Sequence, residues 1–149
     1  MKLYLHILII LNFLFLNLIF SQEETTKFYI TELRGDISLE MEINNLESNK
    51  GPIYISILDE NENPVIVGTS TVINYSSEIS FDSISPGKYA IQFFHDENEN
   101  QKMDFNLIGI PKEKFGSSNN VKPVLGPPKF EKMLFNLTEN KKIIMIPVN

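Results

Sequence analysis

The run Ile37-Ser-Leu-Glu-Met-Glu-Ile43 alternates apolar and polar residues without a break. Successive side chains of a β-strand point to opposite faces, so Ile37, Leu39, Met41 and Ile43 share one face. A strand with one apolar face must bury it against a second layer. Further short runs rich in β-branched and aromatic residues follow at Ile53–Ile57, Ile79–Phe81 and Lys88–Phe94. Phe28–Leu33 reads as a short earlier strand or the start of the Ile37–Ile43 strand, and Val65–Val67 with Thr71–Ile73 as an edge or a strand broken at Gly68. Met133–Leu137 and Lys142–Val148 read as a closing hairpin around residues 138–141. Gly, Pro, Asn and Ser punctuate these runs, and no helix-period pattern or internal repeat appears after the N-terminal region. The pattern predicts an all-β fold, an immunoglobulin-like or prealbumin-like antiparallel β-sandwich of about seven strands.

The N-terminus reads differently. Met1-Lys2 is a short basic start, and Leu3–Phe20 is apolar apart from His6, Asn12 and Asn17. Ser21 offers a small residue for cleavage before Gln22, so residues 1–21 are expected to be a signal peptide and 22–149 one sandwich domain. The alternative is an uncleaved anchor, since the run approaches the length that spans a bilayer. Cleavage would place the protein in the periplasm or outside the cell. The chain has no cysteine, which excludes disulfides, thiol chemistry and a lipidated cysteine. With 13 basic against 19 acidic residues its net charge is −6, which argues against nucleic acid and against adsorption to anionic membranes. No stable membrane insertion is expected once the first segment is removed.

Ile84-Ser-Pro-Gly-Lys-Tyr89 reads as a turn followed by a tyrosine corner, with Gly87 free to take positive φ and the Tyr89 hydroxyl bonded to backbone. At the far end of the next strand, Asp96, Asn98, Asn100 and Asp104 occupy loop positions 1, 3, 5 and 9 of a calcium-binding pattern. The backbone carbonyl of Lys102, at position 7, would add one more oxygen. Position 12 is Leu107, so the usual bidentate glutamate is missing and Asp82, Glu113 or water would have to contribute. The other reading is a polar loop whose Asp and Asn side chains bond their own backbone. Asp59, Asn61 and Asn63 alternate in the same way, but Pro64 follows at once, and that segment reads as a solvated hairpin turn. Arg34-Gly35-Asp36 matches an integrin-recognition tripeptide and is read as a turn. Residues 112–129 read as a long irregular loop.

The ordered motifs Gly87-Lys-Tyr89-Ala90, Phe94-His95-Asp96-Glu97-Asn98, Asn100, Asp104, Gly109-Ile110-Pro111-Lys112-Glu113, Ser118-Asn119-Asn120, Gly126-Pro127-Pro128 and Phe130-Glu131 carry a resemblance. They resemble a family of secreted bacterial proteins catalogued as domain of unknown function family 2141. The resemblance implies the fold and an exported location; it implies no activity. That family's pattern has Gly where this chain has Gln101, and Gly-Phe-Ser-Asn-Asn where this chain has Gly116-Ser117-Ser118-Asn119-Asn120. The first departure bears on the metal reading, because Gly at loop position 6 makes the sharp turn.

Two function classes follow. One is a secreted, non-catalytic sandwich module, stabilised by calcium, whose loops bind a glycan, a peptide or an envelope protein. The other is a secreted hydrolase using His95 with nearby carboxylates. No nucleophile-elbow pattern surrounds Ser117 or Ser118, and one histidine with carboxylates is an uncommon zinc set. The module is the reading taken forward, with no catalytic residues assigned.

Overall fold

The computed structural model describes residues 27–30, 34–124 and 126–148. The expected signal peptide at 1–21 lies outside the described residues, as do positions 31–33 of the first expected strand. Among the described residues no helix is long and apolar enough to cross a membrane.

Among the described residues nine strands form two sheets: β1 (Lys27–Ile30), β2 (Ile37–Ile43), β3 (Ile53–Asp59), β4 (Pro64–Ser70), β5 (Ser77–Ile84), β6 (Gly87–His95), β7 (Phe115–Ser117), β8 (Phe135–Leu137) and β9 (Lys141–Met145). The larger sheet runs β1-β4-β3-β6-β7, with β8 also paired to β6; the smaller runs β5-β2-β9. A 3₁₀ turn at Ser118–Asn120 and a short helix α1 (Phe130–Met133) lie between β7 and β8. The all-β sandwich expected from the alternation is therefore present.

The β2 alternation settles one wall of the core. Ile37, Leu39, Met41 and Ile43 are all buried, and one apolar cluster joins them to Ile53, Ile55, Ile57, Ile91 and Phe93 of the larger sheet. Burying an aliphatic side chain of this size is worth about 1.5–3 kcal/mol, so this face dominates the attraction between the layers. At one margin Phe28 of β1 meets Phe81 of β5 edge-on, ring centroids 4.7 Å apart. At another, the buried Ser70 and Ser77 hydroxyls bond each other at 2.8 Å.

Several expectations need correction. β7 is not among the expected strands, being only three residues long and too short to show an alternation, and the strand expected at Met133–Leu137 is shortened to β8 because Met133 ends α1. β4 runs unbroken through Gly68, which stands in register between Phe28 and Ile55. The closing hairpin does not form. β8 pairs antiparallel with β6 in one sheet, whereas β9 pairs parallel with β2 in the other. Residues 138–140 thus cross between layers, and Asn140 Oδ1 accepts a bond from Ser38 N that seats β9 beside β2. Closeness in sequence does not distinguish a hairpin from a crossover when both segments are apolar. The stretch 112–129 is not wholly irregular, since it supplies β7 and the 3₁₀ turn. Arg34-Gly35-Asp36 leads into β2 and forms no turn. Gly35 N bonds Ser83 O, and a Cβ on Gly35 would run into the Ile84 carbonyl.

The tyrosine corner is formed. Tyr89 Oη donates to Ser85 O at 2.9 Å, although the side chain is half-buried. Gly87 serves it in a different way from that expected. Its φ is not positive; instead the Tyr89 ring folds over it, and a Cβ there would meet the ring at 3.1 Å. Tyr89→Phe is expected to cost about 0.5–1.5 kcal/mol, the worth of one such bond. Urea denaturation should show a lower midpoint at unchanged slope, and an unchanged midpoint would remove the corner's contribution.

Candidate functional site

β6 delivers the candidate site at its C-terminal end. His95 N donates to Lys114 O, Asp96 N donates to Pro52 O, and Gly51, at φ +70°, lies so close to Asp96 O that no Cβ fits. His95 is fully buried and its Nε2 donates to Lys50 O at 2.7 Å. Its Nδ1 has no hydrogen-bond partner and stands 3.7 Å from Glu97 Oε1. The hydroxyls that a hydrolase would need are elsewhere. Ser117 is in register with Gln92, and Ser118 Oγ is committed to Met133 O and Ile91 N. Among the described residues no serine hydroxyl is bonded to His95.

The four loop side chains do come together. Asp96 has no exposed surface; its Oδ1 accepts from Asn100 N at 3.1 Å and its Oδ2 from Gln101 N at 2.7 Å. Asn98 Oδ1 accepts from Asn100 N, and Asn100 Oδ1 from Lys102 N. Asp104 Oδ2 receives the Nδ2 groups of both asparagines at 2.8 Å. The loop therefore bonds its own backbone, as the polar-turn reading requires. Apart from Asp104 Oδ2, which takes two donors, each of these oxygens retains a second lone pair, so these bonds leave acceptor capacity.

Glu113 joins this group from the far side of residues 105–112. Its Oε2 accepts from Asp104 N at 3.0 Å, while its Oε1 is buried without a hydrogen-bond partner. Glu113 is only 7% exposed. Burial raises the Glu113 pKa above the ordinary carboxylate value; the Asp104 amide opposes this, and the Asp96 and Asp104 charges add to it. Of the two lysines that flank it, Lys114 is turned to Glu47 at 2.8 Å. Asp82 is not part of the group. It lies on β5 just before the turn into β6, at the opposite end of that strand from Asp96.

Hard oxygens of this kind suit calcium in their chemistry. Among the described residues, however, no group of three or more His, Asp or Glu side chains is close enough to hold a metal ion. As it stands the loop is closed by hydrogen bonds, with two amide N–H donors on Asp104 where a cation would bring positive charge.

The turn itself survives without glycine. Gln101 adopts φ +63° and Glu99 φ +58°. A second Asp-Glu-Asn-Glu-Asn pentapeptide at 59–63 has the same local geometry, with Glu62 at φ +65° and Asp59 Oδ1 accepting from Asn63 N. Its next residue, Pro64, has no N–H to give and returns the chain as β4. Gln101 does have one, and gives it to Asp96.

Three residues that the sequence left without a role hold the neighbouring layer. Ser118 caps the Ile91 amide; Asn119 Nδ2 donates to Lys132 O and Leu134 O; Asn120 accepts from Ile146 N and donates to Ile144 O. Asn119 and Asn120 both take positive φ, a conformation that Asn tolerates better than most residues. The Ser-Asn-Asn order was the available signal.

Residues 41–145 match the family model described as "Uncharacterized protein conserved in bacteria (DUF2141)". The match spans more than half of the chain, and the protein belongs to that family. No curated protein and no solved structure matches it.

Gln101→Gly should stabilise the fold. A non-glycine residue at left-handed φ costs about 1–2 kcal/mol, and glycine's extra freedom in the unfolded chain returns about 0.5–1 of that. The expected net gain is about 0.5–1 kcal/mol. Chemical denaturation should show it for Gln101→Gly and not for Gln101→Ala, which keeps the strain.

Proposed function

We propose that this member of an uncharacterised bacterial family is an exported, non-catalytic sandwich module whose 96–104 loop takes calcium. The residues that would hold the ion are Asp96, Asn98, Asn100, Asp104 and the carbonyl of Lys102, joined by Glu113. The observation that carries the reading is the Glu113 carboxyl, buried against two aspartates with one oxygen unpartnered. A carboxylate in that position raises the free energy of the ion-free fold, and a divalent cation offsets it. With no glutamate at loop position 12, affinity falls in the roughly 10⁻⁴–10⁻³ M class of extracellular modules. The ion would stiffen the loops through which the module meets a glycan, a peptide or an envelope protein. The hydrolase reading has little support, because His95 is buried and bonded to a carbonyl.

Calcium at ten times Kd should stabilise the chain by about 1.4 kcal/mol, from RT ln(1+[L]/Kd). Thermal melting of the parent, Asp96→Asn, Asp104→Asn and Glu113→Gln should show the gain in the parent alone. Glu113→Gln should melt no lower than the parent in chelator, since it removes a buried charge. An unmoved melting temperature at millimolar calcium, or an equal rise with magnesium or sodium chloride, would defeat the ion site. Export is tested separately: mass spectrometry of the exported chain should find it beginning at Gln22, and an intact Met1 would indicate an anchored protein.

A further inference from the structure

The smaller sheet ends at β9, and among the described residues no strand pairs with its far side. Met145 turns its carbonyl toward β2, where Asn44 N donates to it. Peptide groups alternate along a strand, so those of Ile144 and Ile146 face the open side. They are not bare. Asn120 Nδ2 donates to Ile144 O at 3.2 Å, and Asn120 Oδ1 accepts from Ile146 N at 2.8 Å. In a parallel ladder an incoming residue makes this same pair of bonds, giving its N–H to one carbonyl and taking the N–H two residues further on. One side-chain amide therefore stands in for one residue of a fourth strand.

The amide is held firmly in place. Ser118 Oγ bonds Ile91 N and Met133 O, and Asn119 Nδ2 bonds Lys132 O and Leu134 O. Asn120 itself takes φ +48°, a conformation that glycine would adopt without steric cost. The other open edges are defended by other means. β1 has four residues, and β5 carries exposed Glu78 and Asp82 and a bulge at Asp82–Ser83, with Ser83 at φ +68°. Short length, charge and bulges all discourage the addition of a strand. The outer half of β9 and the residue after it have none of these. Ile144 is 52% and Ile146 44% exposed, and Lys142 is turned back to Glu42 of β2 at 2.7 Å.

We propose that Asn120 is an edge guard, whose carboxamide keeps β9 from pairing with a second copy of this chain. A second copy is the strand at issue because loss of the plug frees the identical edge on every molecule. Two such edges can meet about a two-fold axis, with Ile144 and Ile146 of each contributing apolar surface.

The test compares Asn120→Gly with the parent, both prepared as the exported chain, so that the N-terminal region contributes equally to each. Glycine accepts the left-handed φ, so the turn is kept and only the plug is removed. Sedimentation should find the parent monomeric and the variant rising with concentration toward twice the monomer mass. Amide exchange resolved by residue reads the edge directly. The Ile146 amide should be protected in the parent and exchange about tenfold faster in dilute Asn120→Gly, the loss of one net hydrogen bond. It should regain protection as the variant associates. Adding Ile144→Lys to Asn120→Gly should restore the monomer, since a charge beside the edge opposes pairing. Tyr89→Phe also loses one hydrogen bond, but in the larger sheet, and should stay monomeric. The proposal fails if Asn120→Gly is monomeric wherever the parent is, or if the Ile146 amide is unprotected in the parent. Equal association of Tyr89→Phe would make lost stability the cause, and association unmoved by Ile144→Lys would place the contact elsewhere; either result overturns it.

Discussion

The structure depends on keeping every amide of β6 paired along an edge that no full-length strand covers. On one side β6 has β3 from Tyr89 to His95. On the other it has β8 against Gly87–Tyr89 and β7 against Gln92–Phe94, with a gap between them. Ile91, fully buried, lies in that gap, and its N–H goes to Ser118 Oγ at 3.0 Å. An unpaired buried amide costs about 1–3 kcal/mol, so one hydroxyl completes the central strand. Ser118 passes the bond on to Met133 O, which places α1 and the start of β8. Gly116 makes the approach possible, because a Cβ there would meet the Phe93 ring at 2.6 Å.

Both ends of this one strand carry the chemistry. Its start is held by the tyrosine corner and its end by Asp96, so the loop beyond inherits a fixed origin. The two Asp-Glu-Asn-Glu-Asn pentapeptides show how little of the candidate site is local. Their backbones turn alike, and in both the aspartate gathers the following amides. At Asp59 the hydrogen bonds from Asn63, followed by those from Asn61, hold the pKa low, and the loop is complete in itself. At Asp96 two further carboxyls arrive from residues 104 and 113. Identical pentapeptides therefore sit among different neighbours.

The sequence made the layers legible and left the connections hidden. A period of two over Ile37–Ile43 is a strong signal, because each apolar residue had to find a buried place, and all four did. Pro86 and Gly87 announced the corner, since so few residues suit that turn. The loop oxygens at 96, 98, 100 and 104 were readable from spacing, and Glu113 could be named among three possible contributors. Its selection over Asp82 depended on which end of β6 each reached, and that is set by topology. The crossover from β8 to β9 left no local trace, because Lys141–Met145 suits a parallel and an antiparallel neighbour equally.

The parallel pairing of β2 with β9 has a consequence for how the chain assembles. Leu39–Ile43 waits for Lys141–Met145, so the smaller sheet closes across nearly the whole described chain. Contacts so distant in sequence are slow to form, since the loop entropy is lost before the strand pairs. Until the C-terminal residues arrive, β2 has β5 on one side and a bare edge on the other. An open edge is a template for pairing with another chain. The last strand therefore sets the length of time for which this fold is vulnerable to aggregation.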